Sequence, residues 1–292
     1  MRTVKLDTYA KINLALDILG RREDGYHDMR MVMQTISLGD TVTVTETAEG
    51  FTLLAEGMEL PGDRKSMEQR AAEAFFDALG CPVPGLEIHL EKRVPAYAGL
   101  GGGSADVAAV LRCLRNLYCP EMSRAELETI GSRVGSDVAF CLRGGTCLAQ
   151  GRGEVLTDLP PLPECAIVLC KPPFGLPTPA LFARVDGASL GRRPDVDGMI
   201  AALERGDLSA VAARLGNVFE TVLVGEEAEA VAAIKQTLLR RGSMGAAMSG
   251  SGPTVFGFFP NRAAARGVYG DLAARYPQTY LVSPVKKFRE LE

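Results

Sequence analysis

Four glycines crowd into five positions in "PAYAGLGGGSAD", Pro95 to Asp106. A glycine-rich turn feeding a helix presents unpaired backbone N–H groups and the positive end of the helix dipole, and both attract an anion, phosphate above all. The same composition suits a tight turn that uses glycine only for close packing, and the loop alone leaves both readings open. Two further segments carry polar groups. "KIN" near the N-terminus sets the amine of Lys11 and the amide of Asn13 on one strand face, and "AMSGSGPTVFGFF" puts a second turn, Gly250, Ser251 and Gly252, beside a strand.

The familiar phosphate signatures fit poorly. No glycine is followed by lysine, so there is no G-x-x-x-x-G-K-[ST] loop, and neither H-R-D nor D-F-G occurs. Gly99, Gly101 and Ser104 approximate a dinucleotide-binding G-x-G-x-x-G/A, yet that motif should open a βαβ unit, and here it follows mostly strands. Seven cysteines contain no C-x-x-C pair, which argues against a disulfide framework and a structural zinc site. With only His27 and His89 the chain cannot build a three-histidine metal centre.

The elements that must position these residues can be read from periodicity. "YAKINLALDIL" alternates, which predicts a half-buried strand with Ala10, Ile12, Leu14, Leu16 and Ile18 inward and Lys11, Asn13 and Asp17 on the other face. "MVMQTISL", "DTVTVTET" and "FTLLAE" are further strand candidates. "SMEQRAAEAFFDALG" reads as a helix, with Ser66 and Gln69 at capping-box spacing and Gly80 at its C-terminus. "GLEIHLEKRVP" alternates into the glycine loop, and Val107, Val110, Leu111, Leu114 and Leu117 then recur at helical spacing, with Ser104 as the expected N-cap. "SRAELETIGSRV" opens another helix on a capping box from Ser123 to Glu126. Asp137 lies just past its end, where by spacing alone it caps the next short helix. The proline cluster from Leu159 to Cys165 is the expected domain boundary, giving residues 1–158 and 159–292. Beyond it "AIVLCKP", "TVFGFFP" and "TYLVSPVKK" read as strands, and "DLSAVAARLGNVFE", "EEAEAVAAIKQTLLRRG" and "NRAAARGVYGDLAARY" as helices. That order predicts an α+β second domain with helices on one face of an antiparallel sheet.

At 292 residues the chain can support two domains. Its net charge of −4 and pI near 5.5 leave no electrostatic footprint for nucleic acid. No run of about 18 apolar residues and no leader pattern occurs, so the expectation is a cytoplasmic protein, off the membrane, with small-molecule partners. Oligomeric state is not written in the sequence beyond an expected monomer or weak homodimer.

"AKINLALDILGRREDGYHDM", "PAYAGLGGGSADVAAVL" and "MSGSGPTVFGFF", in this order and at these separations, resemble the three motifs of the GHMP small-molecule kinases. The resemblance runs from about residue 8 to about residue 260. More narrowly, Lys-Ile-Asn, "GRREDGYH" and "GSDVAF" resemble the branch whose alcohol substrate is 4-diphosphocytidyl-2-C-methyl-D-erythritol, in non-mevalonate isoprenoid biosynthesis. The resemblance implies an N-terminal domain of the ribosomal-protein-S5 domain-2-like type, a ferredoxin-like C-terminal domain, and an active site between them. It implies ATP with magnesium as cofactors and phosphorylation of the substrate's 2-hydroxyl. The ATP phosphates are then wrapped by Pro95, Ala96, Tyr97, Ala98, Gly99, Leu100, Gly101, Gly102, Gly103, Ser104, Ala105 and Asp106. Asp137 maps onto the catalytic base and Lys11 onto the cation that keeps it ionised and stabilises developing charge. Tyr26 and His27 map onto the residues that hold the cytosine, with Phe182 on its other side and Thr178 nearby. Asn13 faces the substrate, and Gly250, Ser251 and Gly252 line the cleft near its phosphates.

Two positions depart from the family pattern. Tyr97 stands where a small residue is usual, and "SAD" replaces "SSD" or "SSN", so one hydroxyl is missing at Ala105. This leaves the protein ligands of magnesium unknown, with Ser104 still available. Rival functions keep the fold with homoserine, mevalonate or a sugar as substrate, or turn it to an ATP-using decarboxylation. A nucleic-acid-binding S5-like domain is disfavoured by the acidic pI, and an oxidoreductase is weaker still.

Overall fold

The computed structural model describes residues 1–57, 65–188, 190–191 and 193–287. Strands β1 (Thr3–Asp7), β2 (Lys11–Arg21), β3 (His27–Thr35), β4 (Thr41–Thr47) and β5 (Phe51–Glu56) come first, then helix α1 (Met67–Leu79) and strand β6 (Gly85–Glu91). Helices α2 (Gly102–Tyr118), α3 (Arg124–Val134) and α4 (Val138–Arg143) follow, and the hairpin of β7 (Thr146–Gly151) and β8 (Val155–Asp158) ends the first half. The second half runs β9 (Ala166–Cys170), α5 (Thr178–Asp186), α6 (Val196–Glu204), α7 (Leu208–Ala212) and β10 (Gly216–Asn217), then a 3₁₀ helix over Val218–Val222. It ends with α8 (Gly225–Arg240), β11 (Ala246–Met248), β12 (Val255–Phe259), α9 (Arg262–Arg275) and β13 (Thr279–Val282).

Three sheets result, ordered β1-β4-β6-β5, β10-β2-β3-β7-β8 and β11-β12-β9-β13. The first carries α1 and α2, whose Phe75, Val107 and Leu111 share a core with Val42, Val44, Leu86, Ile88 and Leu90. The third is antiparallel throughout, as expected, and packs α8 and α9 on one face. Its other face, through Ile167, Leu169, Phe256 and Phe258, meets Ile12, Leu14 and Val32 of the second sheet.

Strand β2 is not half-buried. Residues 11–18 are buried on both faces, Lys11 and Asn13 included. The register with β3 slips between Asn13 and Ala15, so Leu14 is an extra residue there. A β-bulge of this kind reverses the alternation beyond it. Ala10, Ile12 and Leu14 therefore enter one cluster while Leu16 and Ile18 enter the other, correcting the expected single inward face.

The stretch "DLSAVAARLGNVFE" is a helix only over Leu208–Ala212. Gly216 and Asn217 instead pair in parallel with Ala15 and Leu16 of β2, and Asn217 then caps the 3₁₀ turn through Phe219 N–H. Tertiary pairing overrides the local pattern here. The chain end also returns to the first half, since Val285 N–H donates to Thr35 O and Gln34 Nε2 to Val285 O.

Candidate active site

Lys11 opens β2 and is anchored by its backbone N–H, which donates to Leu100 O at 2.9 Å. Its side chain runs beneath the glycine loop, and a Cβ added at Gly101 would lie 3.1 Å from both its Cγ and its Cε. The Nζ donates to Asn13 Oδ1 at 2.9 Å and to Gly99 O at 3.2 Å, and stands 3.4 Å from Asp137 Oδ2. A Cβ at Gly250 would come within 3.1 Å of the same nitrogen. Segments far apart in sequence thus converge on the ammonium of Lys11, a residue only 4 % exposed.

Asp137 is brought there by close helix packing. The capping box of Ser123 and Glu126 fixes the start of α3, and Gly131 lets that helix approach Val138, whose Cγ1 a Cβ would strike at 2.6 Å. Asp137 occupies the N-cap position of α4, yet its side chain makes no capping hydrogen bond. Its carboxylate is 28 % exposed and faced by Lys11.

The loop holds its shape through positive φ at Tyr97 (49°), Gly99 (73°) and Gly101 (69°). Helix α2 starts at Gly102, with Gly101 as N-cap and no side-chain cap, so Ser104 is not the cap but the third residue of the helix. The first intrahelical bond runs from Ala105 N–H to Gly101 O, which leaves the N–H groups of Gly102, Gly103 and Ser104 for an outside acceptor. Ala96, Tyr97 and Gly103 are exposed, and Pro95, Gly99, Gly101, Gly102 and Ser104 are partly so. Ala98, Leu100, Ala105 and Asp106 are buried behind them. The second turn backs the first: Ser249 Oγ donates to Gly99 O at 2.9 Å, and Asn217 Nδ2 holds the carbonyls of Met248 and Gly250 at 2.8 and 2.7 Å.

Asp106, read from the sequence as part of the phosphate cradle, is turned inward. Lys92 Nζ bridges it to Asp40, whose other oxygen accepts the backbone N–H groups of Arg93 and Val94, and Asp106 Oδ1 is buried without a partner among the described residues. Burial pushes the Asp106 carboxyl up to about 8, the Lys92 charge pulling down and Asp40 adding to the rise. An acid whose folded pKa exceeds its unfolded value takes up a proton on folding, so its contribution is most favourable at low pH and is lost as pH rises toward 8. The Tm should therefore fall from pH 6 to pH 8 more steeply for the natural chain than for Asp106→Asn, and parallel slopes in thermal melts would exclude this role.

The aromatic residues assemble differently from expectation. His27 and Phe182 stack directly on each other, with centroids 4.6 Å apart and planes at 22°. A base held between two rings needs about 7 Å, twice the ~3.5 Å contact distance, so these two do not flank one in this arrangement. His27 is further tied by Nε2 to Asp186 Oδ1 at 2.6 Å, and Phe182 rests edge-on against Phe219. Apolar ring faces that can meet exclude water by doing so. Tyr26 stays exposed, with the guanidinium of Arg152 over its ring at 4.9 Å. Thr178 Oγ1 lies 2.8 Å from Ser251 Oγ, linking the start of α5 to the second glycine turn.

Several supporting residues escaped the sequence reading. Lys92, Asp40 and Asp186 are ordinary charges in strand-end or helix-end segments, with no spacing to distinguish them. Asn217 did leave a signal, because a Gly-Asn pair is unfavourable inside a helix.

Comparison with known proteins follows the same lines. The family model "GHMP kinases N terminal domain" matches residues 67–145, and "GHMP kinases C terminal" matches residues 199–278. A 4-diphosphocytidyl-2-C-methyl-D-erythritol kinase of Clostridium tetani is 40% identical over 95% of this chain and 99% of its own. One from Pelotomaculum thermopropionicum is 45% identical over 92% of each. Among solved structures, a 4-(cytidine 5'-diphospho)-2C-methyl-D-erythritol kinase superposes with a TM-score of 0.79 at 32% identity, covering 96% of this chain and 99% of that one.

Proposed function

Since the chain belongs to the GHMP kinase family, in the branch of the 4-diphosphocytidyl-2-C-methyl-D-erythritol kinases, we propose that it transfers the γ-phosphoryl group of ATP to the 2-hydroxyl of 4-diphosphocytidyl-2-C-methyl-D-erythritol. The observation that carries this reading is the meeting of Lys11, Asp137 and the glycine loop within 3.4 Å of one nitrogen. Phosphoryl transfer asks chiefly for positioning and charge stabilisation. The free N–H groups at the start of α2 and the hydroxyl of Ser104 receive the phosphates. Asp137 takes the proton of the attacking hydroxyl, and Lys11 keeps that carboxylate ionised while drawing the developing charge. Asn13 fixes the lysine's direction by accepting one of its hydrogen bonds.

A magnesium ion bound with the nucleotide would neutralise phosphate charge. The hydroxyl of Ser104, partly exposed in the first turn of α2, is the protein oxygen available to such an ion. We treat residues 1–158 and 159–292 as the two domains, and the enzyme as cytoplasmic, a monomer or weak homodimer acting on small molecules away from nucleic acid and membrane. No helix among the described residues is long and apolar enough to cross a membrane.

Phe182 and His27 receive the cytosine by parting or by offering an outer ring face. Phe182→Ala should raise KM for the alcohol substrate about tenfold or more with a smaller change in kcat, as removal of a stacking partner does; an unchanged KM in steady-state assays would remove Phe182 from the site. The function itself is tested by ADP formation from Mg-ATP with 4-diphosphocytidyl-2-C-methyl-D-erythritol, homoserine and mevalonate offered separately. Turnover is expected with the first alone, and turnover with either of the others instead would overturn the assignment.

A further inference from the structure

Lys171, the residue directly after β9, has no task in the reaction just described. It is 8 % exposed, and its Nζ finds only the carbonyl of Pro172, at 3.3 Å, among the described residues, with no carboxylate in reach. Burial accordingly pushes its pKa down. A buried ammonium without a counter-charge is costly, and the ordinary remedies are loss of its proton or a partner anion.

The lysine lines a groove of about 730 Å³, within the range of small-molecule sites. Its lining also holds Phe174, three prolines, and Tyr276 and Gln278 just past α9. Arg275, in the last turn of α9, adds a second cation that has no ion pair among the described residues; its guanidinium lies over the Tyr276 ring at 5.2 Å. Glu226, in the exposed first turn of α8, is the groove's carboxylate. The lining thus holds two cations, one acid and several flat apolar surfaces, and it shares no residue with the glycine loop or the His27–Phe182 pair.

We propose that this groove is a second binding site, for a small organic anion: one phosphate or carboxylate head between Lys171 and Arg275, and a flat apolar body against Phe174 and Tyr276. The single acid at Glu226 favours one anionic head over a polyanion. The site does not depend on the kinase reading. It is coupled to the cleft through the chain itself, because the segment from Lys171 leads within a few residues to Thr178.

Phenyl phosphate and benzoate, titrated into the full chain and followed by saturation-transfer NMR, test the proposal. At least one should bind saturably and resist displacement by ATP, and whichever binds more tightly names the head group. Lys171→Met should weaken it roughly tenfold or more, the worth of one charge-assisted hydrogen bond, and Lys171→Arg should restore it. Arg275→Gln, at an exposed position, should weaken it similarly with kcat unchanged, and decides the matter if the Lys171 variant fails to fold. Non-saturable signals, displacement by ATP, or full binding by Arg275→Gln would overturn it.

Discussion

Asp137→Asn should lower kcat by roughly 100- to 10,000-fold, the usual worth of general-base assistance, while KM for both substrates changes little. The substitution keeps size and shape. It also costs no helix cap, because Asp137 makes no capping hydrogen bond at the start of α4. What it removes is the charge 3.4 Å from Lys11 Nζ and the basic oxygen. Lys11 retains Asn13 Oδ1 and Gly99 O, so the ammonium is not left unpartnered and the fold should hold. A Tm close to that of the natural chain, with a collapsed kcat, is the expected pair of readings. A loss of less than tenfold would mean that the hydroxyl needs no base here and that positioning accounts for the rate.

The second large effect is expected at Gly99. A Cβ there would fall inside the contact radius of the Ser249 carbonyl oxygen and 2.8 Å from Gly252 N, and the residue's φ is 73°. Both the obstructing atoms are backbone, and neither can swing away. Gly99→Ala should therefore cost about 3 kcal/mol or more of stability, from the strained φ and the overpacking together, and should push the two glycine turns apart, abolishing turnover. Gly103 supplies the contrast. It is exposed, in the first turn of α2, and a Cβ would meet nothing nearer than Met67 Sδ at 3.9 Å. Gly103→Ala should keep or slightly raise the Tm, so a higher KM for ATP in that variant would register the nucleotide's own approach to the backbone. An unchanged Tm in Gly99→Ala would refute the packing argument in a single melt.

How much of this was legible beforehand depended on whether the cause was local. The ends of α1 and α3 were readable because caps act within four residues: Ser66 does accept from Gln69 N–H, Gly80 does adopt the left-handed conformation, and the Ser123–Glu126 box is complete. The inward faces of β6 followed from simple alternation, and Leu86, Ile88 and Leu90 are buried as expected. The bulge at Leu14 was not readable, since it arises from pairing with β3 and changes no residue type. Strands β1, β7, β8, β10 and β11 and helices α5 and α6 were likewise missed, being short or set by distant partners. At the site, Lys11, Asp137 and the loop, named together from the motifs, meet around one nitrogen. The stacked His27–Phe182 pair and the inward Asp106 lay beyond it, because side-chain direction is decided by neighbours such as Asp186 and Lys92 that carry no motif.

The parallel pairing of Gly216–Asn217 with β2 has a consequence in time. The strand that opens with Lys11 gains its outer neighbour only after roughly 200 further residues have been made, and at about 5–20 residues per second on the ribosome that is a wait of some ten to forty seconds. Through that interval part of the edge of β2 has no partner, and the Asn217 amide that steadies Gly250 has not yet been synthesised. The Ser249 hydroxyl that backs the glycine loop comes later still, so the geometry around the ammonium is a late product of translation, and a ribosome stalled before residue 216 would display no working site.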